Sequence, residues 1–260
     1  MLIRVKGILQ IVTCIAILLI PLTFASAEDS SLAARKRVQE AVDYWRDNSS
    51  YTASEMIIHR PDWTRRTKLE AWTSGRDQSL VRFTAPPKDA GNATLTLEND
   101  TWTFSPKVNR IIKIPPSMMT QSWMGSDFSY RDISRSDDIL ELYTHQFIGR
   151  EEHDGLQVDI VESIPHEEAA VVWGKEILKI RSDHIVLEHS FFDQSGKLVK
   201  RLVAKDIQLL GGKLYPRVTR MESAEKPEEW TEVVHEDAKF NLSIPTQTFT
   251  LSNLSNPRNR

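Results

Sequence analysis

The chain has 260 residues, 33 Lys and Arg against 36 Asp and Glu, a formal net charge of −3 and one cysteine. Mild acidity with interspersed signs excludes the clustered basic face of a nucleic-acid surface, and with it phosphate binding by a basic patch. The length suits one large β domain or two small ones.

Arg4 and Lys6 precede the apolar run Ile11 to Phe24, and Ala25-Ser26-Ala27 supplies the small residues after which a signal peptidase cuts. Residues 1–27 are therefore expected to be a signal peptide cleaved after Ala27, leaving a periplasmic domain over 28–260. The run is short for a membrane span, which needs about 20 residues. Cys14 lies inside it and not at the cleavage point, so the exported chain carries neither a lipid-attachment cysteine nor a disulfide, and its charge becomes −5 with Arg4 and Lys6 removed.

The segment "SLAARKRVQEAVDYWRDN" places Leu32, Ala34, Val38, Ala41, Val42 and Trp45 at helical spacing with charges opposite, which predicts a helix with one face to bury. The period then changes to two. "YTASEMIIH", "TKLEAWTSG", "QSLVRFTAP", "NATLTLE", "TWTFSP" and "RIIKIP" follow closely with Gly, Pro, Asp and Asn between them, and predict antiparallel hairpins. The rhythm returns in "THQFIGREEH", "LQVDIVESI", "KEILKIRS", "IVLEHSFFD", "KLVKRLVAKDI", "KLYPRVTRME" and "EWTEVVHED". So many short strands with little helix predict a mainly β fold: a sandwich, a closed barrel or a half-barrel. Composition shows no linker and no repeat. In "KLVKRLVAK" Lys200 falls on the face of Leu198, Leu202 and Ala204, so neither face is cleanly polar and some strands are expected to be covered on both sides.

The search for chemistry returns little. The histidines (His59, His145, His153, His166, His184, His189 and His235) form no HExxH or HxH pattern, and no GxSxG or glycine-rich phosphate loop occurs. No catalytic residue, metal site or cofactor is expected. One stretch is unusual: "RIIKIPPSMMTQSWMGSDFSYRD", residues 110–132, begins as a strand, is stopped by two prolines and strings Met118, Met119, Trp123, Met124 and Phe128 through polar turn residues. These residues read either as a loop plugging the open end of a sheet or as a lid. Gly125 before Ser126-Asp127 suits a hinge or a plain turn.

With its flanks, "LVRFTAPPKDAGNATLTLENDTWTFSPKVNRIIKIPPSMMTQSWMGSDFSYRD", together with "VVWGKEILKI" and "FFDQSGKLVKRL", resembles the outer-membrane lipoprotein-sorting protein family, the LolA-like proteins, and especially a larger bacterial branch. The resemblance implies an α+β fold in which a single curled antiparallel sheet forms an unclosed half-barrel, with an N-terminal helix and a lid segment over an apolar cavity. It implies a non-enzymatic carrier of lipid or lipoprotein acyl chains, monomeric, served by an inner-membrane transporter and an outer-membrane acceptor, or else an adaptor of an envelope transporter complex. Flexible methionines and a tryptophan suit a surface that repacks around acyl chains. The residues expected to line the lid or cavity are Trp102, Phe104, Ile112, Met118, Met119, Trp123, Met124 and Phe128, and Arg76 is the candidate lid latch. A lid role for Trp123 predicts that Trp123→Asp weakens acyl binding more than it lowers stability.

Overall fold

The computed structural model describes residues 27–134 and 137–257. The expected leader lies outside the described residues except for Ala27, the first residue of helix α1 (Ala27–Arg46). No described helix is long and apolar enough to cross a membrane. Glu28 and Asp29 in the first turn of α1 and Arg46 in the last complement the helix dipole.

Two antiparallel meanders follow. The first comprises β1 (Ser49–Arg60), β2 (Trp63–Ser74), β3 (Gln78–Ala85), β4 (Ala93–Leu97), β5 (Asp100–Ser105) and β6 (Arg110–Lys113). The second comprises β7 (Tyr143–His153), β8 (Leu156–Pro165), β9 (Lys175–Arg181), β10 (Val186–Phe192), β11 (Leu198–Leu210), β12 (Lys213–Ser223) and β13 (Trp230–Phe240). Pairing of β1 with β13 joins them into one unclosed 13-stranded sheet, in the order β6-β5-β4-β3-β2-β1-β13-β12-β11-β10-β9-β8-β7. Each predicted strand segment lies within one of these strands or overlaps it to within a few residues.

The topology dictates what covers the sheet. β6 and β7 are its two edges, and the chain between them must travel from one edge to the other. That connection carries a 3-10 turn (Pro116–Met118), α2 (Tyr130–Ser134) and α3 (Asp138–Leu142). Residues from both sides of the gap, among them Lys113, Ile114, Met119, Leu142 and His166, line a cleft of about 1130 Å³ there.

On the concave face α1 covers one half of the sheet, where Ala34, Val38 and Ala41 pack with Ile139 and Leu140 of α3 and with Tyr143, Val161, Leu178 and Ile180. Arg37 of α1 donates to Asp159 at 3.1 Å and fixes the helix to β8. The connecting segment covers the other half, where Trp123 joins Met56, Ile58, Leu69, Val81 and Phe83. The convex face is covered in part by the C-terminal chain. Phe249 of a 3-10 turn (Thr246–Phe249) and Leu254 of α4 (Leu251–Ser255) bury Leu80, Ala93, Leu95 and Phe104. Arg82 donates to the carbonyls of Asn253 at 2.7 Å and Leu254 at 3.2 Å, satisfying oxygens at the end of α4.

Candidate functional site

The concave face is graded along the strands. With a period of two, β1 presents Ser50, Thr52, Ser54, Met56 and Ile58 to the same side, hydroxyls near the end of α1 and hydrocarbons beyond. Its neighbours repeat the gradient in register: Thr73 and Ser79 stand beside Ser50, whereas Leu69 and Phe83 stand farther along.

The apolar end is roofed by a small hairpin, with Ser122 bridging Ser129. Its turn places Met124 at φ 53° and Gly125 at φ 75°, so both central residues are left-handed, which suits glycine and strains methionine. Trp123 is 2% exposed, and its indole N–H donates to the Thr94 hydroxyl at 2.9 Å. The hairpin is clasped by charge. Arg60 donates through both terminal nitrogens to Asp127, at 3.1 and 3.0 Å, and Arg65 donates to the Met124 carbonyl. Ser129 and Asp132 make reciprocal hydrogen bonds, a capping box at the start of α2. The Asp132 carboxylate so fixed meets the Lys200 ammonium at 2.5 Å, both side chains 12% exposed. Lys200 also lies over the rings of Trp173 and Phe191, at 5.4 and 5.2 Å.

Between the hairpin and α1 lie three adjoining voids of about 240, 140 and 100 Å³, all bordered by Leu202. The largest has Leu69, Val81, Trp123 and Val233 on one side and Ser50, Thr52, Ser54, Thr73, Arg46 and His235 on the other. Trp45 stacks on Tyr215 at 4.6 Å to form part of its wall. In the smallest, Glu176 accepts from the Tyr143 hydroxyl at 2.6 Å and faces His189 Nε2 at 2.5 Å. Burial, and then the Glu176 charge, push the Tyr143 hydroxyl up so that it stays protonated.

Ser54 meets His235 Nδ1 at 2.8 Å, and His235 Nε2 is buried without a hydrogen bond among the described residues. A serine nucleophile needs a base that a third group orients, and here no carboxylate holds the second ring nitrogen. Burial lowers the His235 pKa to about 4. Among the described residues no group of three His, Cys, Asp or Glu has a metal-holding arrangement.

The residues singled out in the sequence divide among several places. Trp123, Met124 and Phe128 face the concave interior, Phe128 packing with Phe191 and Met221. Met119 is buried beside the edge cleft, and Met118 is half-buried in the turn before it. Ile112 lies on the edge strand and is 50% exposed. Trp102 and Phe104 are corrected: their register with Leu95 and Ala93 puts them on the convex face, under the C-terminal chain and away from Trp123. Arg76 is corrected as the latch. It binds Asp43 of α1 at 2.6 Å, so it holds the helix and not the hairpin. The clasps that hold the hairpin are Arg60, Arg65 and Lys200, of which only Lys200 had a signal in the sequence, as a charge within an apolar strand face.

An unclosed antiparallel half-barrel with an N-terminal helix on its concave side defines the LolA-like fold. A family model described as "Uncharacterized protein" matches residues 75–256, and the chain belongs to that family. A DUF1329 family protein of Desulfovibrio piger is similar in structure, with TM-score 0.79 and 21% identity over 86% of this chain and 99% of that one. So is a Vibrio parahaemolyticus domain whose description proposes an outer membrane lipoprotein-sorting protein, with TM-score 0.76 and 21% identity over 86% and 99%. A LolA superfamily protein of Nitrosomonas europaea follows, with TM-score 0.69 and 22% identity over 84% and 97%. No curated relative matches the sequence.

Proposed function

We propose that the protein is a periplasmic carrier or binding protein for lipid or lipoprotein acyl chains, taking part in outer-membrane lipoprotein or lipid sorting and catalysing no reaction. The observation that supports it best is the set of voids between α1 and the hairpin, roofed by a segment that side-chain clasps hold in place of strand pairing. The clasps can break one by one without unzipping the sheet, so the roof is able to move while the barrel stays folded. An inner-membrane transporter as donor and an outer-membrane acceptor belong to this reading, as does export with cleavage after Ala27.

Native mass spectrometry of protein taken from its own periplasm tests it. Bound lipid that is released on denaturation is the expected result. Protein that carries no lipid and fails to bind an acyl probe after stripping overturns it.

A second reading has one observation in its favour. Met56, Ile58, Phe83 and Trp123 fill the apolar end of the interior with side chains, as an adaptor of an envelope transporter complex without lipid carriage would. Such an adaptor copurifies with a membrane protein and without lipid.

A further inference from the structure

His235 of β13 borders the 240 Å³ void, is 7% exposed, and has its Nε2 buried without a hydrogen bond among the described residues. A buried polar atom left unpaired costs stability, so a partner from outside the chain is worth seeking. Ser54 tells what kind of partner. It is 2% exposed, and its side chain makes one hydrogen bond among the described residues, with His235 Nδ1 at 2.8 Å. The hydroxyl proton needs an acceptor, and Nδ1 is the one in reach, so Ser54 donates to it. Burial lowers the His235 pKa to about 4, so near pH 7 the ring is neutral and its single proton sits on Nε2. The unpaired atom is a donor.

The rings of Trp45 and Tyr215 stand edge-on to the imidazole, at 5.8 and 5.3 Å between centroids, and neither gives Nε2 an acceptor. Trp45 is half-buried, so its ring can turn aside to admit one. The charged groups of the lining are matched: Arg46 faces Asp137 at 3.6 Å, and Asp132 faces Lys200 at 2.5 Å. A charged ligand would bring a charge with no counterpart, so a neutral acceptor fits. The position of His235 narrows the choice further. It pairs with Ser54, which pairs in turn with Leu69, so it stands where the concave gradient changes. On one side lie Ser50 and Thr73, bonded to each other at 2.7 Å. On the other lies Val233, two residues along β13 and on the same face. In an acylated molecule the group between polar head and hydrocarbon is the carbonyl, which is neutral and accepts without donating.

We infer that His235 Nε2–H donates to the acyl carbonyl, ester or amide, of a bound lipid whose chain runs toward Leu69, Val81 and Val233. The inference rests on the carrier reading and adds a linkage requirement to it: a chain without a carbonyl satisfies the apolar lining and leaves Nε2 unpaired.

The test uses the stripped full-length exported chain and three ligands with the same glycerol head and twelve-carbon chain: the ester 1-monolaurin, the amide N-(2,3-dihydroxypropyl)dodecanamide and the ether 1-O-dodecylglycerol. Each is titrated by displacement of the dye 1-N-phenylnaphthylamine. The wild type is expected to bind the ester or the amide about tenfold more tightly than the ether, the scale of satisfying one buried donor. The tighter of the two identifies the linkage, O-acyl or N-acyl. Because His235→Phe alone would strand the Ser54 hydroxyl, the variant is Ser54→Ala with His235→Phe, which removes both partners. In it the ester and the amide are expected to fall to the affinity of the ether, with the ether unchanged.

Equal binding of all three by the wild type, or a carbonyl preference that survives in the double variant, overturns the anchor and leaves the carrier reading standing. Failure of the wild type to bind the dye or any of the three removes both. The wild type also gives a readout that needs no variant: imidazole nitrogen resonances of His235 are expected to show the proton on Nε2, and its N–H signal to move downfield on adding the ester and not the ether. A proton on Nδ1, an unmoved signal at saturating ester, or a crystal structure with ester bound and only an ordered water on Nε2 overturns the assignment.

Discussion

Trp123 shows how much one side chain does in closing this molecule. Its ring is surrounded by Met56, Ile58, Leu69, Val81 and Phe83 and its N–H is bonded to Thr94, so it is packed as a core residue while lying on a connecting segment. Its removal therefore costs stability directly: Trp123→Ala is expected to lower the unfolding free energy by about 3–5 kcal/mol, read from urea denaturation. This amends the expectation from the sequence that affinity would suffer more than stability. Lys200 is the charged counterpart. Lys200→Met strands the Asp132 carboxylate in a site 12% exposed and is expected to cost about 3–5 kcal/mol. Adding Asp132→Asn should restore part of that loss, since the capping amide remains and the stranded charge is gone. A double variant no more stable than Lys200→Met would show that the lysine acts through packing on Trp173 and Phe191 alone.

At the scale of elements, the concave and convex faces are closed by segments of different kinds. The hairpin over the concave face is held by Arg60 on Asp127, Arg65 on the Met124 carbonyl and Lys200 on Asp132. Arg60→Gln is expected to speed amide exchange over residues 122–129 at least several-fold while leaving strands β8–β10 unchanged, because the Arg60–Asp127 pair ties the hairpin to β1 and its loss lowers the cost of opening the hairpin locally. Uniform acceleration across the sheet would mean that the hairpin and barrel open as one unit. The C-terminal chain over the convex face is held by Phe249, Leu254 and the Arg82 bonds. Truncation after Asn241 is expected to uncover Leu80, Leu95 and Phe104 and produce a hydrophobic-dye-binding, self-associating protein, visible in light scattering. A monomeric, dye-free truncation would sink that account of the segment.

For the whole molecule, buried titratable groups make the fold sensitive to acid. His145, bonded to Ser163 at 2.8 Å, and His235 both have pKa values lowered to about 4, chiefly by burial. In the unfolded chain each titrates near about 6.5, so between the two values the unfolded state binds more protons. The stability due to the neutral imidazoles is thus complete above pH ~6.5 and is lost as pH falls toward about 4, up to about 3 kcal/mol for each. Glu222 acts in the same direction lower down: hydrogen bonds and charges of Lys205 and Arg201 lower its pKa despite burial, so its contribution too is lost on acidification. The melting temperature is expected to fall steeply from pH 7 to pH 4.5, and His235→Asn to flatten that fall. A melting temperature constant over the range would contradict it.

The sequence by itself determined the elements. Alternation in stretches such as "TKLEAWTSG" and "RIIKIP" specifies strands because side chains on an extended backbone change face at every residue, and the turn residues between them fix the hairpins. It also showed Lys200 sharing a strand face with Leu198, Leu202 and Ala204, and marked residues 110–132 as an unusual stretch. Only the tertiary structure decided which side each residue serves. Trp102 and Phe104 lie within a few residues of the hairpin segment yet face the other way, because the register to Leu95 and Ala93 is set by neighbouring strands. Arg46 reads in the sequence as a charge ending a helix. It becomes a cation inside a cavity because α1 lies across the concave face and its last turn lies beside the hydroxyl row of β1, β2 and β3. Strand periodicity is a local property of the chain, whereas the lining of the concave voids depends on contacts between residues far apart in it, such as Arg46, Val81 and His235.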